Sequence, residues 1–111
     1  RQAEARRAVF VSSGAAHSAR PFWGLYAASK AALEALVKSY AGEMQTSPVK
    51  ANLFDPGVVR TAMRAKAMPG EDPETLPLPS TVAPKLIDMI APDFAANGMR
   101  YDVKTGKLQA L

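Results

Sequence analysis

The order of apolar segments restricts the fold of this chain more than any other feature of its sequence. Arg7 to Val11 is a short apolar run that stops at Ser12-Ser13-Gly14. Because the run is too short for a helix and ends in turn residues, it predicts a buried strand. A loop is expected over residues 15–24, and an alanine-rich helix is expected from Leu25 to about Met44. Its side chains recur at the 3.6-residue spacing of one helix face at Tyr26, Lys30, Leu33, Val37, Tyr40 and Met44.

A second strand is predicted from Val49 to Phe54, where the turn sequence Asp55-Pro56-Gly57 ends it. Five of the nine prolines then fall between Pro69 and Pro84. Because proline lacks a backbone N–H and restricts its neighbours, this density predicts a long irregular loop after the second strand.

The remaining sequence predicts one more helix and one more strand. The helix is expected from about Thr81 to Ile90, with Pro84 near its first turn, where a missing N–H does little harm. Its inward face is predicted to consist of Leu86, Ile87 and Ile90. Residues 98–111 are expected to form a strand that runs into a hairpin at Lys104-Thr105-Gly106-Lys107.

Helices that alternate with strands predict right-handed crossovers and a parallel sheet covered by helices. The fold class is therefore α/β, with a doubly wound parallel sheet of which this sequence supplies a β-α-β-loop-α-β half.

Composition excludes several classes of function. The 111 residues include no Cys and one His, so neither disulfide chemistry nor a metal site is expected. The net charge of +4 comes from scattered basic residues without interleaved aromatic ones, which argues against a nucleic-acid partner. No apolar stretch approaches the roughly 18 residues of a membrane span. We therefore expect a cytoplasmic protein with no membrane partner.

Four polar or turn positions fall where ligands bind in open α/β sheets. Ser13 follows the first predicted strand, and Pro56-Gly57 follows the second. Tyr26 and Lys30 are four residues apart on the predicted helix, so their side chains share a face. Because parallel strands end at the same edge of a sheet, we expect these residues to meet in one crevice.

This combination of residue types suits proton transfer. A lysine ammonium close to a phenol favours loss of the phenolic proton, which suits Tyr26 to act as a general acid and base. The Ser13 hydroxyl could hold a substrate oxygen against the phenol. Gly57 lacks a Cβ and would allow a flat ring to approach the backbone closely.

The spacing of these residues resembles that of the short-chain dehydrogenase/reductase family. The resemblance rests on Ser13, on Tyr26-Ala27-Ala28-Ser29-Lys30 thirteen positions later, and on Pro56-Gly57-Val58-Val59-Arg60-Thr61. It implies a Rossmann-like sheet and NAD or NADP as the cofactor. It also implies an oxidoreductase that interconverts a carbonyl and an alcohol on a small molecule, and a homo-oligomer in the intact protein.

The resemblance also implies a role for each matching residue. Tyr26 would exchange the proton, Ser13 would orient the substrate oxygen, and Lys30 would bind the nicotinamide ribose. The nicotinamide pocket would be formed by the stretch after the second strand, namely Pro56, Gly57, Val58, Val59 and Thr61.

The glycine-rich pyrophosphate turn of the family has no counterpart in this sequence. Residues 1–111 are therefore expected to be the carboxyl-terminal part of a single dinucleotide-binding domain, and to be inactive alone. An alternative function remains open: the parent protein could be a non-catalytic relative that serves as a regulator or scaffold.

His17 is interpreted as a loop residue near the entrance of the substrate site.

Overall fold

In the computed structural model, residues 6–18, 21–57 and 62–111 are described. These ranges contain four strands that form one sheet in the order β1-β2-β3-β4. The strands are β1 (Arg6–Val11), β2 (Val49–Asp55), β3 (Met99–Asp102) and β4 (Lys107–Ala110). The helices are α1 (Ala15–Ser18), α2 (Gly24–Glu43), α3 (Ala62–Ala67), a short 3-10 turn (Pro73–Thr75) and α4 (Pro79–Met89).

The first three strands run parallel, as predicted from the alternation of strands and helices. Val11 of β1 lies beside Phe54 of β2, so the two strands end almost level with each other. Residues 53–55 of β2 pair with residues 100–102 of β3. β4 returns antiparallel to β3 through the predicted hairpin, in which Gly106 has a φ of 69°.

Helices cover both faces of the sheet, which confirms the α/β fold class. On one face, Val37 and Ala41 of α2 pack with Ala51 and Leu53 of β2 to form the buried core. Phe54 is adjacent to Leu53 in the same strand and therefore points to the other face.

On that second face, the Phe54 ring stacks on Tyr101 with 6.0 Å between ring centroids. The Lys85 ammonium of α4 lies 4.8 Å from the centroid of the same Tyr101 ring. The sheet is thus enclosed by α2 on one side and by α4 on the other.

The helix after the proline-rich stretch differs from its prediction in start and orientation. It begins at Pro79, so Pro84 lies in its interior. Met89 is fully buried, whereas Ile87 is 64% exposed and Ile90 is 49% exposed. The prediction that Ile87 and Ile90 face inward was therefore wrong. Apolar character alone did not reveal the buried face of α4, because a methionine is buried in protein cores about as readily as an isoleucine.

Two stretches predicted as loops contain helical turns. The expected loop over residues 15–24 contains α1, whose first turn is closed by N–H groups of Ala16 and His17 that donate to the carbonyls of Ser13 and Gly14. The proline-rich region contains the 3-10 turn, capped by the Asp72 carboxylate. Within the described ranges, no helix is long and apolar enough to cross a membrane.

Candidate active site

Ser13 lies two residues beyond β1 and is partly buried. Its Oγ accepts the N–H of Ala15 at 3.2 Å, which fixes the hydroxyl at the start of α1. A serine hydroxyl that accepts one hydrogen bond can still donate its own proton to another oxygen. The position therefore suits a group that binds a substrate oxygen.

Tyr26 and Lys30 lie in the first turns of α2, on the same helix face. Tyr26 is 37% exposed, so a ligand can reach this side chain. Its ring meets Trp23 edge to face, with 5.8 Å between centroids and 80° between planes. The Lys30 Nζ lies 5.7 Å from the Tyr26 ring centroid, within the range of a cation–π contact.

The Lys30 ammonium also connects the helix to the end of the first strand. Its Nζ donates a hydrogen bond to the Val11 carbonyl at 3.1 Å. Val11 is the last residue of β1 and stands two positions before Ser13. The structure thus brings Lys30 against the Tyr26 ring and against the end of the strand that precedes Ser13.

Pro56 and Gly57 follow the end of β2, beside the end of β1. Gly57 has a φ of 69°, which L-residues rarely adopt, and its N–H donates to Asp55 Oδ1 at 3.0 Å. Among the residues that the structure describes, no atom lies within 4 Å of a Cβ built on Gly57. The other predicted members of this stretch lie outside the described residues, namely Val58, Val59 and Thr61.

A cluster of charged side chains at the ends of β1 and β2 was missed in the sequence. Arg100 of β3 donates to Asp55 Oδ2 at 2.7 Å through Nη2 and to Glu34 Oε2 through Nη1. The Ser12 hydroxyl donates to the same Glu34 oxygen. Asp55 and Arg100 are buried, and Ser12 is 3% exposed. We call Ser12, Glu34, Asp55 and Arg100 the strand-end cluster.

The contacts within the cluster favour the charged forms of Glu34 and Arg100. Burial by itself raises the pKa of Glu34, but the hydrogen bonds from Ser12 and Arg100 and the nearby positive charges lower it below the usual value. Burial likewise opposes the charge of Arg100, yet its contacts with Glu34 and Asp55 raise the Arg100 pKa. A periodic sequence pattern could not reveal this cluster, because its members come from four separate parts of the chain.

His17 does not lie in a loop as predicted but on α1, at the rim of the strand-end cluster. Its Nε2 is 3.1 Å from Glu34 Oε1 and 3.0 Å from Arg100 Nη1. A cavity of about 490 Å³ opens beside it, between α2 and β4. The lining of this cavity includes His17, Glu34, Lys38 and Arg100, but not Ser13 or the other predicted catalytic residues.

Comparison with solved structures identifies the same fold in other proteins. A short chain dehydrogenase from Salmonella enterica superposes with a TM-score of 0.84 at 36% identity, over 90% of this chain and 42% of that one. A Shigella flexneri protein assigned to the short chain dehydrogenases, solved in complex with NADP, matches 88% of this chain and 41% of its own at 37% identity, with a TM-score of 0.81.

Sequence comparison also finds relatives of this kind. The uncharacterized oxidoreductase YciK of Escherichia coli is 37% identical over 107 residues, which are 96% of this chain and 42% of that protein. The chain therefore spans less than half the length of these relatives. The family model for short chain dehydrogenases matches residues 2–72, well over half of the sequence. By sequence and by structure, this chain belongs to the short chain dehydrogenase family.

Proposed function

We propose that the whole protein is an NAD(P)-dependent oxidoreductase that interconverts a carbonyl and an alcohol on a small-molecule substrate. We also propose that residues 1–111 are the carboxyl-terminal part of its dinucleotide-binding domain. The observation that carries the proposal is the position of Lys30, which contacts the Tyr26 ring and the end of the strand that leads to Ser13. Family membership and the NADP held by the Shigella flexneri relative support it.

In the proposed reaction, Tyr26 donates a proton in one direction and accepts a proton in the other. During reduction the phenol donates its proton to the substrate oxygen as negative charge develops there, and during oxidation the phenolate removes the hydroxyl proton. The Lys30 ammonium stabilises the phenolate by its charge. Ser13 donates a hydrogen bond to the same substrate oxygen and fixes its distance from the phenol.

Pro56 and Gly57 are proposed to form a wall for a flat cofactor ring. No described atom lies within 4 Å of a Cβ built on Gly57, so a ring can approach this backbone closely, and Pro56 restricts the backbone that precedes it. A nicotinamide dinucleotide, when bound, supplies or takes up the hydride. Pro56, Gly57, Val58, Val59 and Thr61 are proposed to hold the nicotinamide end, and Lys30 is proposed to bind its ribose hydroxyls.

The test compares two tyrosine variants of the whole protein. Tyr26→Phe removes the proposed proton donor, and Tyr40→Phe removes a hydroxyl of similar exposure from the same helix. Turnover of a panel of alcohols and ketones is followed by nicotinamide absorbance. We expect Tyr26→Phe to lower kcat by about 10²–10⁴-fold, the usual contribution of a general acid, and Tyr40→Phe to leave it unchanged.

Dinucleotide affinity separates the proposal from a non-catalytic role. Tyr26→Phe should retain NADH or NADPH binding in a fluorescence titration, because the phenol acts in chemistry more than in binding. A wild-type protein that binds the dinucleotide but turns over none of the panel would favour a regulator. Near-normal kcat in Tyr26→Phe would refute the role of this tyrosine.

The proposal also includes self-association of the whole protein. α2 carries large apolar side chains at its surface, including Leu25 at 92% exposure and Leu36 at 68%. Exposed apolar area of this kind is typical of surfaces that other protein covers, which here is the rest of the protein or a second copy. With a second copy as the proposed cover, light scattering should give the mass of a dimer or tetramer, and a monomer at micromolar concentration would contradict this part.

A further inference from the structure

The strand-end cluster connects the three parts of the proposed active site. Asp55 uses one carboxylate oxygen for each of two partners: Oδ1 accepts the Gly57 N–H at 3.0 Å, and Oδ2 accepts Arg100 Nη2 at 2.7 Å. The conformation of the Pro56-Gly57 turn is thereby coupled to a side chain of β3. Loss of Arg100 would free the Asp55 carboxylate to rotate and to leave the turn.

Glu34 makes the second connection. It lies one turn after Lys30 on α2 and accepts hydrogen bonds from both Ser12 and Arg100. Ser12 is the neighbour of Ser13, and its own N–H donates to the Phe54 carbonyl of β2 at 2.9 Å. Glu34 therefore fixes the helix that carries Tyr26 and Lys30 against the strand end that carries Ser13.

Arg100 joins the two connections through the geometry of its guanidinium. Its two Nη atoms face two different carboxylates, Glu34 from the helix and Asp55 from the neighbouring strand. A planar fork can hold both acids at a fixed angle, whereas a lysine ammonium acts as a point charge on a flexible stem.

We propose that Arg100, with Glu34 and Asp55, is a positioning network that sets the distance between Ser13, Tyr26 and the Pro56-Gly57 turn. The inference rests on the proposed function, which supplies the reaction that this geometry serves. None of these three network residues touches substrate in this proposal. They act by holding α2 and the ends of β1 and β2 in fixed relative positions.

The placement of charge supports positioning over stability as the role of the cluster. Burying a guanidinium and two carboxylates costs desolvation that their mutual attraction only partly offsets, so apolar residues would serve a core equally well. Charged groups with directed hydrogen bonds instead select one arrangement of the elements they join. Ser13 and Gly57, the residues adjacent to the cluster, are the ones whose arrangement the reaction requires.

The experiment uses Arg100→Lys in the whole protein, with Arg6→Lys, an exposed arginine of β1, as the matched control. Amide hydrogen exchange is measured by mass spectrometry in peptides that cover residues 12–14 and 55–57. We expect Arg100→Lys to accelerate exchange about tenfold at both strand ends and by a clearly smaller factor in the helix interior around Val37. Arg6→Lys should change neither region.

Kinetics provide the second measurement. A displacement of about 1 Å in a catalytic group costs on the order of 10²-fold in rate, so kcat of Arg100→Lys should fall by about 10–100-fold. The KM for the alcohol or ketone should change less than kcat, because no cluster residue contacts substrate. Glu34→Gln tests the same network from the helix, with Glu43→Gln of the same helix as its control.

The outcomes distinguish this inference from the proposed function. If wild-type turnover depends on Tyr26 but Arg100→Lys and Glu34→Gln leave kcat and strand-end exchange unchanged, the inference is overturned and the function stands. If exchange rises equally at the strand ends and around Val37, the cluster serves stability and the inference also fails. If the wild type shows no Tyr26-dependent turnover, the function fails, whereas strand-end exchange still reports whether Arg100 holds the geometry.

Discussion

The side chain of Asn97 binds the backbone of Ala51 ahead of the residues at which β2 and β3 pair: its Oδ1 accepts the Ala51 N–H at 2.9 Å. Its Nδ2 donates to the Ala41 carbonyl of α2 at the same distance. One amide thus connects the loop before β3 to the central strand and to the end of the helix. Asn52 complements it from β2, since Asn52 Nδ2 donates to the Ala96 carbonyl and Oδ1 accepts the Met99 N–H.

Asn97→Ala in the whole protein should lower the free energy of unfolding by about 1–3 kcal/mol, because the Ala51 N–H and the Ala41 carbonyl lose their partner. Urea denaturation followed by circular dichroism measures the change. Gln109→Ala, at an exposed position of β4, is the control and should stay within about 0.5 kcal/mol of wild type. An equal loss in both variants would contradict the role of Asn97.

Arg7 is predicted to stabilise the amino-terminal edge of the sheet. Its guanidinium donates to the carbonyls of Phe94 at 2.7 Å, Pro92 at 2.6 Å, Pro48 at 3.1 Å and Arg6 at 2.9 Å. Arg7→Met should cost about 2 kcal/mol, since hydrogen bonds from a charged donor are worth more than neutral ones. The same denaturation assay applies, and Arg6→Met should have a much smaller effect. The reverse order of the two variants would contradict this assignment.

Two glycines of this chain should respond to alanine in opposite directions. Gly98 has a φ of 69°, and a Cβ there would lie 3.4 Å from the Ala41 Cβ. Gly98→Ala should therefore destabilise the protein by about 1–2 kcal/mol, the cost of left-handed backbone for an L-residue. Gly42 lies within α2, and a Cβ built there meets none of the described atoms within 4 Å, so Gly42→Ala should stabilise the protein by about 0.5–1 kcal/mol. Thermal unfolding measures the change in stability of both variants, and changes of the same sign would contradict the prediction.

The lowered pKa of Glu34 predicts an acid-sensitive contribution to stability. Because the folded protein binds the Glu34 proton less tightly than the unfolded chain does, this contribution is present above the ordinary pKa of 4.5 and is lost as pH falls below it. Glu34→Gln removes the titrating group, so its stability should depend less steeply on pH between about 5 and 3. Urea midpoints at several pH values, with Glu43→Gln as control, measure the slope. Identical slopes in Glu34→Gln and wild type would show that Glu34 makes no such contribution.

The sequence by itself determined the strands, the long helix and the hairpin, because each depends on local periodicity and turn residues. It also determined which residues to consider for chemistry: the spacing of Tyr26 and Lys30 fixes one helix face, and parallel strands bring Ser13 and Gly57 to one edge. The inward face of α4 was predicted wrongly, since Ile87, Ile90 and Met89 are all apolar and only packing selects among them.

Only the tertiary structure decided which charged side chains meet partners from distant parts of the chain. Arg7 and Arg100 look like surface arginines in the sequence, yet one binds four carbonyl oxygens and the other bridges Glu34 and Asp55. The physical reason is that a buried charge is tolerated only where its partners converge from distant parts of the chain. No local pattern encodes that convergence, because the Arg100 partners lie 66 and 45 residues away along the sequence.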